Sequence, residues 1–284
     1  MPPLLSQAVA AAYDAAQAIL RLYGEPVLVE YKDDRSPLTA ADSASHRLIL
    51  AALQQSTDAL PVLSEESRSI PYAERSAWSR FWLVDPLDGT KEFLKRNGEF
   101  TVNLALIEDG RVILGVVLAP VLKTLYVGGR DLGAFRAVEG QHYGSRAELI
   151  AGSAAPAAAG WEALPRPVAR PAGDVRVVAS RSHENDETRA LIERLAAEPG
   201  RVSLVSIGSS LKLCLVADGS ADLYPRLGPT MEWDTAAAQA VVEGAGGLVS
   251  EYPAGTPLRY NKPNLLNPYF VACRHGWQPA PGPG

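Results

Sequence analysis

Two aspartates three residues apart, Asp85 and Asp88, stand in the stretch Asp-Pro-Leu-Asp-Gly-Thr that follows the apolar run Phe81, Trp82, Leu83 and Val84. Carboxylates at this spacing, at the mouth of a buried strand, can both face one pocket, and they are the hard oxygen donors that hold magnesium. Gly89 lets the main chain approach a ligand closely, bare amides suit phosphate oxygens, and Thr90 adds a hydroxyl. Magnesium-assisted hydrolysis of a phosphate ester is the chemistry this combination could carry. Asp, Pro and Gly are equally the residues of an ordinary turn, so the segment alone leaves the two readings even.

Three further acids stand at predicted element ends. Asp42 follows Thr39 by three residues, the spacing of a capping box, and a carboxylate in a first helical turn needs no function to explain it. Glu65 ends the short apolar run 61–64, where a solvated strand end is the plain explanation. Asp234 opens the run Trp233-Asp234-Thr235-Ala236-Ala237, again a helix start. If several of these carboxylates converged without cations, their repulsion would raise their pKa values and cost stability. Bound magnesium removes that cost, and two ions about 3.5–4 Å apart clamp the attacking and leaving oxygens of a phosphoryl transfer.

The elements that must position these residues are legible in order. Leu4, Leu5, Ala8, Val9, Ala12, Ala16, Ile19 and Leu20 outline one face of an N-terminal helix. Residues 27–31 alternate as a strand and residues 44–53 form the body of a second helix. Pro86 and Gly89 are expected to stop the strand that begins at Phe81. Residues 101–107 and 111–118 flank Asp109-Gly110, a strong hairpin signal, and 125–127 and 134–137 read as further strands. The stretch 140–173, rich in Ala, Pro and Gly, is the expected excursion between an N-terminal α+β half (1–140) and a C-terminal α/β half (174–284). Beyond it, strands at 175–179, 202–207, 221–224, 248–251 and 269–272 alternate with helices at 185–197, 209–217 and 233–244. The expectation is an α/β protein with helices covering sheets, either in five layers or as two joined α/β units.

Composition narrows the class. The 284 residues, 47% hydrophobic and 21% charged, suit a globular protein with a sizeable core. A net charge of −5 argues against a nucleic-acid surface. Cys214 and Cys273 lie in apolar runs and point to a reducing, cytoplasmic setting, and the four histidines lack zinc-ligand spacing. No transmembrane segment or signal peptide is expected; with almost no Lys or Arg on its polar face, the first helix allows at most weak peripheral contact with a membrane.

Taken together, Glu65-Glu66, Asp85 to Thr90 and Trp233 to Ala237, in this order and at these separations, are similar to the motifs of the inositol monophosphatase superfamily of lithium-sensitive, magnesium-dependent phosphatases. The resemblance runs from the first helix to about Cys273 and weakens only in residues 140–173. It implies a five-layer αβαβα fold and roles for particular residues. Asp85 would bridge two magnesium ions, of two or three in all, with Glu65 and the Leu87 carbonyl completing one site and Asp88 and Asp234 the other. The amides of Asp88, Gly89 and Thr90 would receive the phosphate. Thr90 paired with Asp42, helped by Glu65, would orient and deprotonate the attacking water.

The second half resembles one branch of that superfamily, the 3'(2'),5'-bisphosphate nucleotidases. Gly208-Ser209-Ser210-Leu211-Lys212, the run from Leu223 to Thr230, and Ser180-Arg181-Ser182-His183 carry this likeness. It implies that Ser209, Lys212, Arg226 and His183, together with Asp234, hold a nucleotide bisphosphate, with the cations on its uncleaved phosphate and ribose. Plainer readings make Ser209 a helix cap, Lys212 and Arg226 solvated charges, and His183 a polar loop residue. The implied reaction is hydrolysis of 3'-phosphoadenosine 5'-phosphate to AMP and phosphate, with its sulfated precursor as a further substrate. The rivals are an inositol or sugar-phosphate phosphatase and a non-catalytic nucleotide or metal sensor. Monomer and homodimer are both open.

Overall fold

The computed structural model describes residues 2–25, 29–31, 37–55, 59–67, 70–169, 174–179, 186–197 and 201–276. The first part of the chain forms α1 (Pro2–Leu22), β1 (Val29–Tyr31), β2 (Pro37–Thr39), α2 (Ala40–Gln54), β3 (Val62–Ser64), a 3₁₀ turn (Glu65–Ser67) and α3 (Tyr72–Arg75). It continues through β4 (Arg80–Asp88), α4 (Thr90–Leu94), β5 (Thr101–Glu108), β6 (Arg111–Ala119), β7 (Thr124–Gly129), β8 (Gly133–Val138), α5 (Arg146–Ser153) and β9 (Glu162–Ala163). The remainder forms β10 (Asp174–Ala179), α6 (Asp186–Ala197), β11 (Arg201–Ser206), α7 (Leu211–Ala217), β12 (Leu223–Arg226), α8 (Glu232–Gly244), β13 (Leu248–Glu251) and β14 (Phe270–Cys273).

Two main sheets result. The larger runs β3-β4-β5-β6-β7-β8-β9, parallel only between β3 and β4. The smaller runs β11-β10-β12-β14-β13, parallel through β11, β10 and β12 and antiparallel beyond. Period-two alternation decides what each face meets. Trp82, Val84, Leu104 and Leu106 join Val9, Ala12 and Ile19 of α1 in one core. Phe81, Leu83, Ala105 and Ile107 join Leu213, Ala236, Ala237 and Val241 of α7 and α8 in another. In the smaller sheet Val178, Tyr224 and Phe270 face that same central layer, while Val177, Leu223 and Val271 pack with Ile192 of α6. The layers are therefore αβαβα, one of the two arrangements that the alternation of elements allows and the one the resemblance implies.

Local signals account for most boundaries. The β5–β6 hairpin turns through Asp109 (φ 49°) and Gly110 (φ 72°), the pair of positive values that a tight two-residue hairpin turn demands. Thr39 caps α2 in a complete capping box with Asp42. Two expectations need correction. β4 does not stop at Pro86 but runs on to Asp88, because its ladder with β5 shifts register between Asp85 and Asp88, where a residue without an N–H is tolerated. The 140–173 stretch is not a loose excursion through its described part. Its small residues serve close packing, with Gly152 against the Trp161 ring, while α5 docks on α1 through Arg146–Asp14 at 2.7 Å and Ser6–Ser153 at 3.0 Å, and β9 extends the larger sheet.

The central helix sits on a pair of glycines. Gly115 of β6 and Gly128 of β7 are register partners, and a Cβ added to them would lie 2.0 Å from the Ala237 carbonyl oxygen and 2.5 Å from the Val241 Cα. Only bare backbone lets α8 approach this closely, and α8 carries Trp233 and Asp234 in its first turn. We expect Gly115→Ala to destabilise the protein by at least about 3 kcal/mol in urea unfolding, because the obstacle is main chain rather than a movable side chain. A loss below about 1 kcal/mol would mean that α8 can shift freely.

Candidate active site

The same alternation that builds the core delivers the first acid. Asp85 continues the Phe81, Leu83 row toward α8, and across the ladder it pairs with Asn103, which continues the Ala105, Ile107 row. Both are almost wholly buried. The main chain then folds back on Asp85: the Leu87 N–H donates to its Oδ1 at 3.1 Å. From α2, the Ser45 hydroxyl donates to the Pro86 carbonyl at 2.6 Å. Gly89, at φ 97°, takes a left-handed conformation to turn the chain from β4 into α4.

Asp42 does two things at once. Its Oδ2 accepts from the Thr39 N–H at 2.8 Å and the Thr39 hydroxyl at 2.6 Å, while its Oδ1 accepts from the Thr90 hydroxyl at 3.2 Å. The capping role and the expected pairing with Thr90 are thus carried by different oxygens of one buried carboxylate. Asp234 is arranged alike: its Oδ2 accepts from the Met231 N–H at 2.8 Å and closes the first turn of α8.

Asp88 is held from the other sheet. Its Oδ2 accepts from the Ser210 N–H and the Ser210 hydroxyl, both at 2.6 Å, and from the Asn103 amide at 3.3 Å. Ser210 also takes a hydrogen bond from Asn103 at 2.9 Å and lies 2.8 Å from the Asp234 carbonyl oxygen. Neither Ser210 nor Asn103 was singled out from sequence. The one available signal was an amide interrupting the apolar face of β5.

Electrostatics ties the acids together. Burial, then the charges of Glu65, Asp88 and Asp234, push the Asp85 carboxyl well above the usual range. Burial and the neighbouring Asp88 push Asp234 up to about 8. Glu65, in the 3₁₀ turn after β3, contributes to both.

A cleft of about 150 Å³ between the two sheets is lined by the acids Asp88 and Asp234 with Gly89, and also by Ser209, Lys212 and Arg226. Lys91, Glu92 and Thr230, which sequence reasoning did not select, line it too. Ser209, at a left-handed φ of 50°, stands two residues before α7 begins at Leu211, and its hydroxyl accepts from the Leu211 N–H at 3.4 Å, in keeping with the plainer capping reading. The Lys212 ammonium lies 5.9 Å over the Tyr224 ring. Burial pushes its pKa down against the pull of Asp88, and Arg226 adds to the lowering. Arg226 donates from Nη2 to the Pro229 carbonyl at 2.8 Å, while its buried Nε has no hydrogen-bond partner among the described residues. A phosphate dianion is the ligand that would relieve such a pair. His183 lies outside the described residues.

The donor set fits a hard divalent cation. Among the described residues, Oδ2 of Asp85, Oδ1 of Asp88 and Oδ1 of Asp234 accept no hydrogen bond, so each acid is fixed by one oxygen and offers the other. Among the described residues no group of three or more His, Cys, Asp or Glu side chains is gathered closely enough to hold a metal ion by itself. Open carboxylates suit magnesium, which keeps water and substrate phosphate oxygens in its shell.

The model of the inositol monophosphatase family matches residues 1–277. The 3'(2'),5'-bisphosphate nucleotidase CysQ of Salmonella typhimurium is 44% identical over 273 residues, covering 94% of this chain and 98% of that protein. The CysQ of Haemophilus influenzae is 32% identical, covering 94% and 91%. Among solved structures, CysQ from Bacteroides thetaiotaomicron, a bacterial member of the inositol monophosphatase family, superposes with a TM-score of 0.82 at 42% identity over 96% of this chain and 98% of that one. The extragenic suppressor protein suhB of Bartonella henselae shares the fold, with a TM-score of 0.73 at 24% identity over 96% and 94%.

The raised carboxyls fix a pH dependence. A group such as Asp234, with an ordinary value of 3.8 and a folded value of about 8, keeps its proton in the native state while the unfolded chain loses it. Its contribution to stability therefore falls as pH rises through that interval. In chelator, the thermal midpoint should drop between about pH 5 and pH 8, and Mg²⁺ should raise it more at the higher pH. An equal rise at both values would remove the link between the acids and the cation.

Proposed function

The chain belongs to the inositol monophosphatase family, and on that basis we propose that this hydrolase removes the 3'-phosphate of 3'-phosphoadenosine 5'-phosphate, with magnesium, to give AMP and phosphate. The observation that carries the reading is one cleft lined both by the acids Asp88 and Asp234 and by the cations Lys212 and Arg226. A monophosphate at the acids has little need of the two cations, whereas a bisphosphate brings a second phosphate for them to hold. The names of the relatives at 44% identity point the same way. The sulfated precursor, 3'-phosphoadenosine 5'-phosphosulfate, presents the same two ends and is included in the proposal.

Glu65, Asp85, the Leu87 carbonyl, Asp88 and Asp234 would hold two magnesium ions, which supply Lewis-acid polarisation of the ester and offset the charge of the carboxylates. This chain's residues do the rest. The Thr90 hydroxyl donates to Asp42, which leaves its oxygen free to accept a hydrogen bond from the attacking water. As the water oxygen bonds to phosphorus, its proton passes to Thr90 and the Thr90 proton to Asp42, with Glu65 sharing the duty. The bond to the ribose 3'-oxygen breaks, and that oxygen leaves with the electron pair and takes a proton from solvent. The turn at Gly89 brings the amides of Asp88, Gly89 and Thr90 to the phosphate. Lys212, Arg226, Ser209 and His183 anchor the other phosphate and its ribose.

Phosphate release with Mg²⁺ should show kcat/KM for 3'-phosphoadenosine 5'-phosphate about a hundredfold above that for inositol 1-phosphate, or roughly 3 kcal/mol of transition-state binding from Lys212, Arg226 and their neighbours. Equal values would leave a broad phosphatase in place of the nucleotidase. Lys212→Ala should lower kcat/KM for the nucleotide at least about tenfold more than for the monophosphate. Matching losses would return Lys212 to an ordinary structural charge.

A further inference from the structure

We infer that Ser210, braced by Asn103, is a positioning residue that sets how tightly this site holds its cation. The inference rests on the metal-dependent reading above and concerns residues that make no direct contact with the substrate in it. Ser210 is 3% exposed and Asn103 is 1% exposed, so neither is a surface polar group. Three of the donors they carry meet at one atom, Oδ2 of Asp88. The Asn103 amide also donates to the Ser210 oxygen, which turns the serine proton outward. Two acceptors await that proton, the Asp88 carboxylate at 2.6 Å and the Asp234 carbonyl at 2.8 Å. The hydroxyl thus lies between the Asp88 carboxylate and the main chain of Asp234, the residue that would share the second cation with Asp88.

The effect on Asp88 follows from the geometry. A carboxylate oxygen that accepts from the Ser210 N–H, the Asn103 amide and, when its proton turns from the Asp234 carbonyl, the Ser210 hydroxyl cannot rotate without breaking these bonds, so the group offers Oδ1 in a fixed direction. Without the serine hydroxyl the carboxylate keeps the main-chain N–H and a long bond from Asn103, and it gains freedom about its own axis. A cation would then have to restrict that rotation on binding. Groups that orient ligands in this way typically alter metal affinity by about 10- to 100-fold. Ser210 caps no N–H of α7 with its side chain, so its hydroxyl has no competing duty in the helix.

The test titrates the full chain with Mg²⁺ by calorimetry in the absence of substrate, for the parent, Ser210→Ala and Asn103→Ala. Ser153→Ala, which removes a buried hydroxyl bonded to Ile150 and Ser6 away from the cleft, serves as the control. Both site variants should bind Mg²⁺ about 10- to 100-fold more weakly, and the Mg²⁺ concentration for half-maximal phosphate release should rise in step. Ser153→Ala should leave the isotherm unmoved. Unchanged isotherms in Ser210→Ala and Asn103→Ala, each unfolding cooperatively in chelator, would overturn the inference. An equal weakening in Ser153→Ala would also overturn it, by showing that any buried hydroxyl has this effect. If one site variant fails to fold, the other still decides. A parent that binds Mg²⁺ but prefers inositol 1-phosphate would refute the nucleotide assignment and leave the Ser210 result intact.

Discussion

Like charges brought out of water repel, and the site is organised against that repulsion. Asp85, Asp88 and Asp234 are each fixed through one oxygen, and Asp42 is held through both. Asp42 is tied to Thr39, Asp85 to the Leu87 amide, Asp88 to Ser210 and Asn103, and Asp234 to the Met231 amide. Without those ties, side-chain rotation would carry the carboxylates apart toward solvent. With them, the acids remain together at a pH where they would otherwise separate, and the free energy cost appears as raised pKa values at Asp85 and Asp234. The local structural roles of these residues do not compete with a functional one. They are what makes it feasible.

The ties hold only if the elements bearing them are fixed relative to one another. Asp85 and Asn103 stand on adjacent strands of the larger sheet, Asp42 on a helix outside it, Ser210 and Asp234 at the starts of helices between the sheets. α8 is the common reference, packed against the larger sheet on one side and the smaller on the other. Its seat on Gly115 and Gly128 allows the backbone approach that brings Asp234 within range of Asp88. Further along the same helix start, Glu232 accepts from the Asn261 and Lys262 amides and the Lys262 ammonium, so the turn is held on both flanks.

Much of this was legible in the residues. The hairpin at Asp109-Gly110 needs two positive φ angles and announces them by composition, and the Thr39–Asp42 cap follows from side-chain reach over three residues. Each acid stands beside an element end, which a plainer reading explains equally well, and what groups them is the resemblance of their segments to the family's motifs. What could not be read depends on register and on contacts far apart in sequence. The extension of β4 past Pro86 requires a register shift with β5, which no local pattern specifies. The bond between Ser210 and Asp88 spans 122 positions, and the docking of α5 on α1 through Arg146 and Asp14 spans 132. The Ala, Pro and Gly of residues 140–173 suggested looseness because small residues mark turns and tight packing alike, and only the neighbouring Trp161 separates the two.

The short α7 has a bearing on how such a protein could diverge. Ser209, Ser210 and Lys212 lie within four positions, so the residues expected to choose the ester and the residue that steadies Asp88 share one turn of backbone. A lineage that altered this turn to accept a different substrate would disturb its grip on Asp88 with the same substitutions. Substrate range and metal requirement would then change together, and changes in either would favour compensating replacements at Asn103, on the opposite sheet.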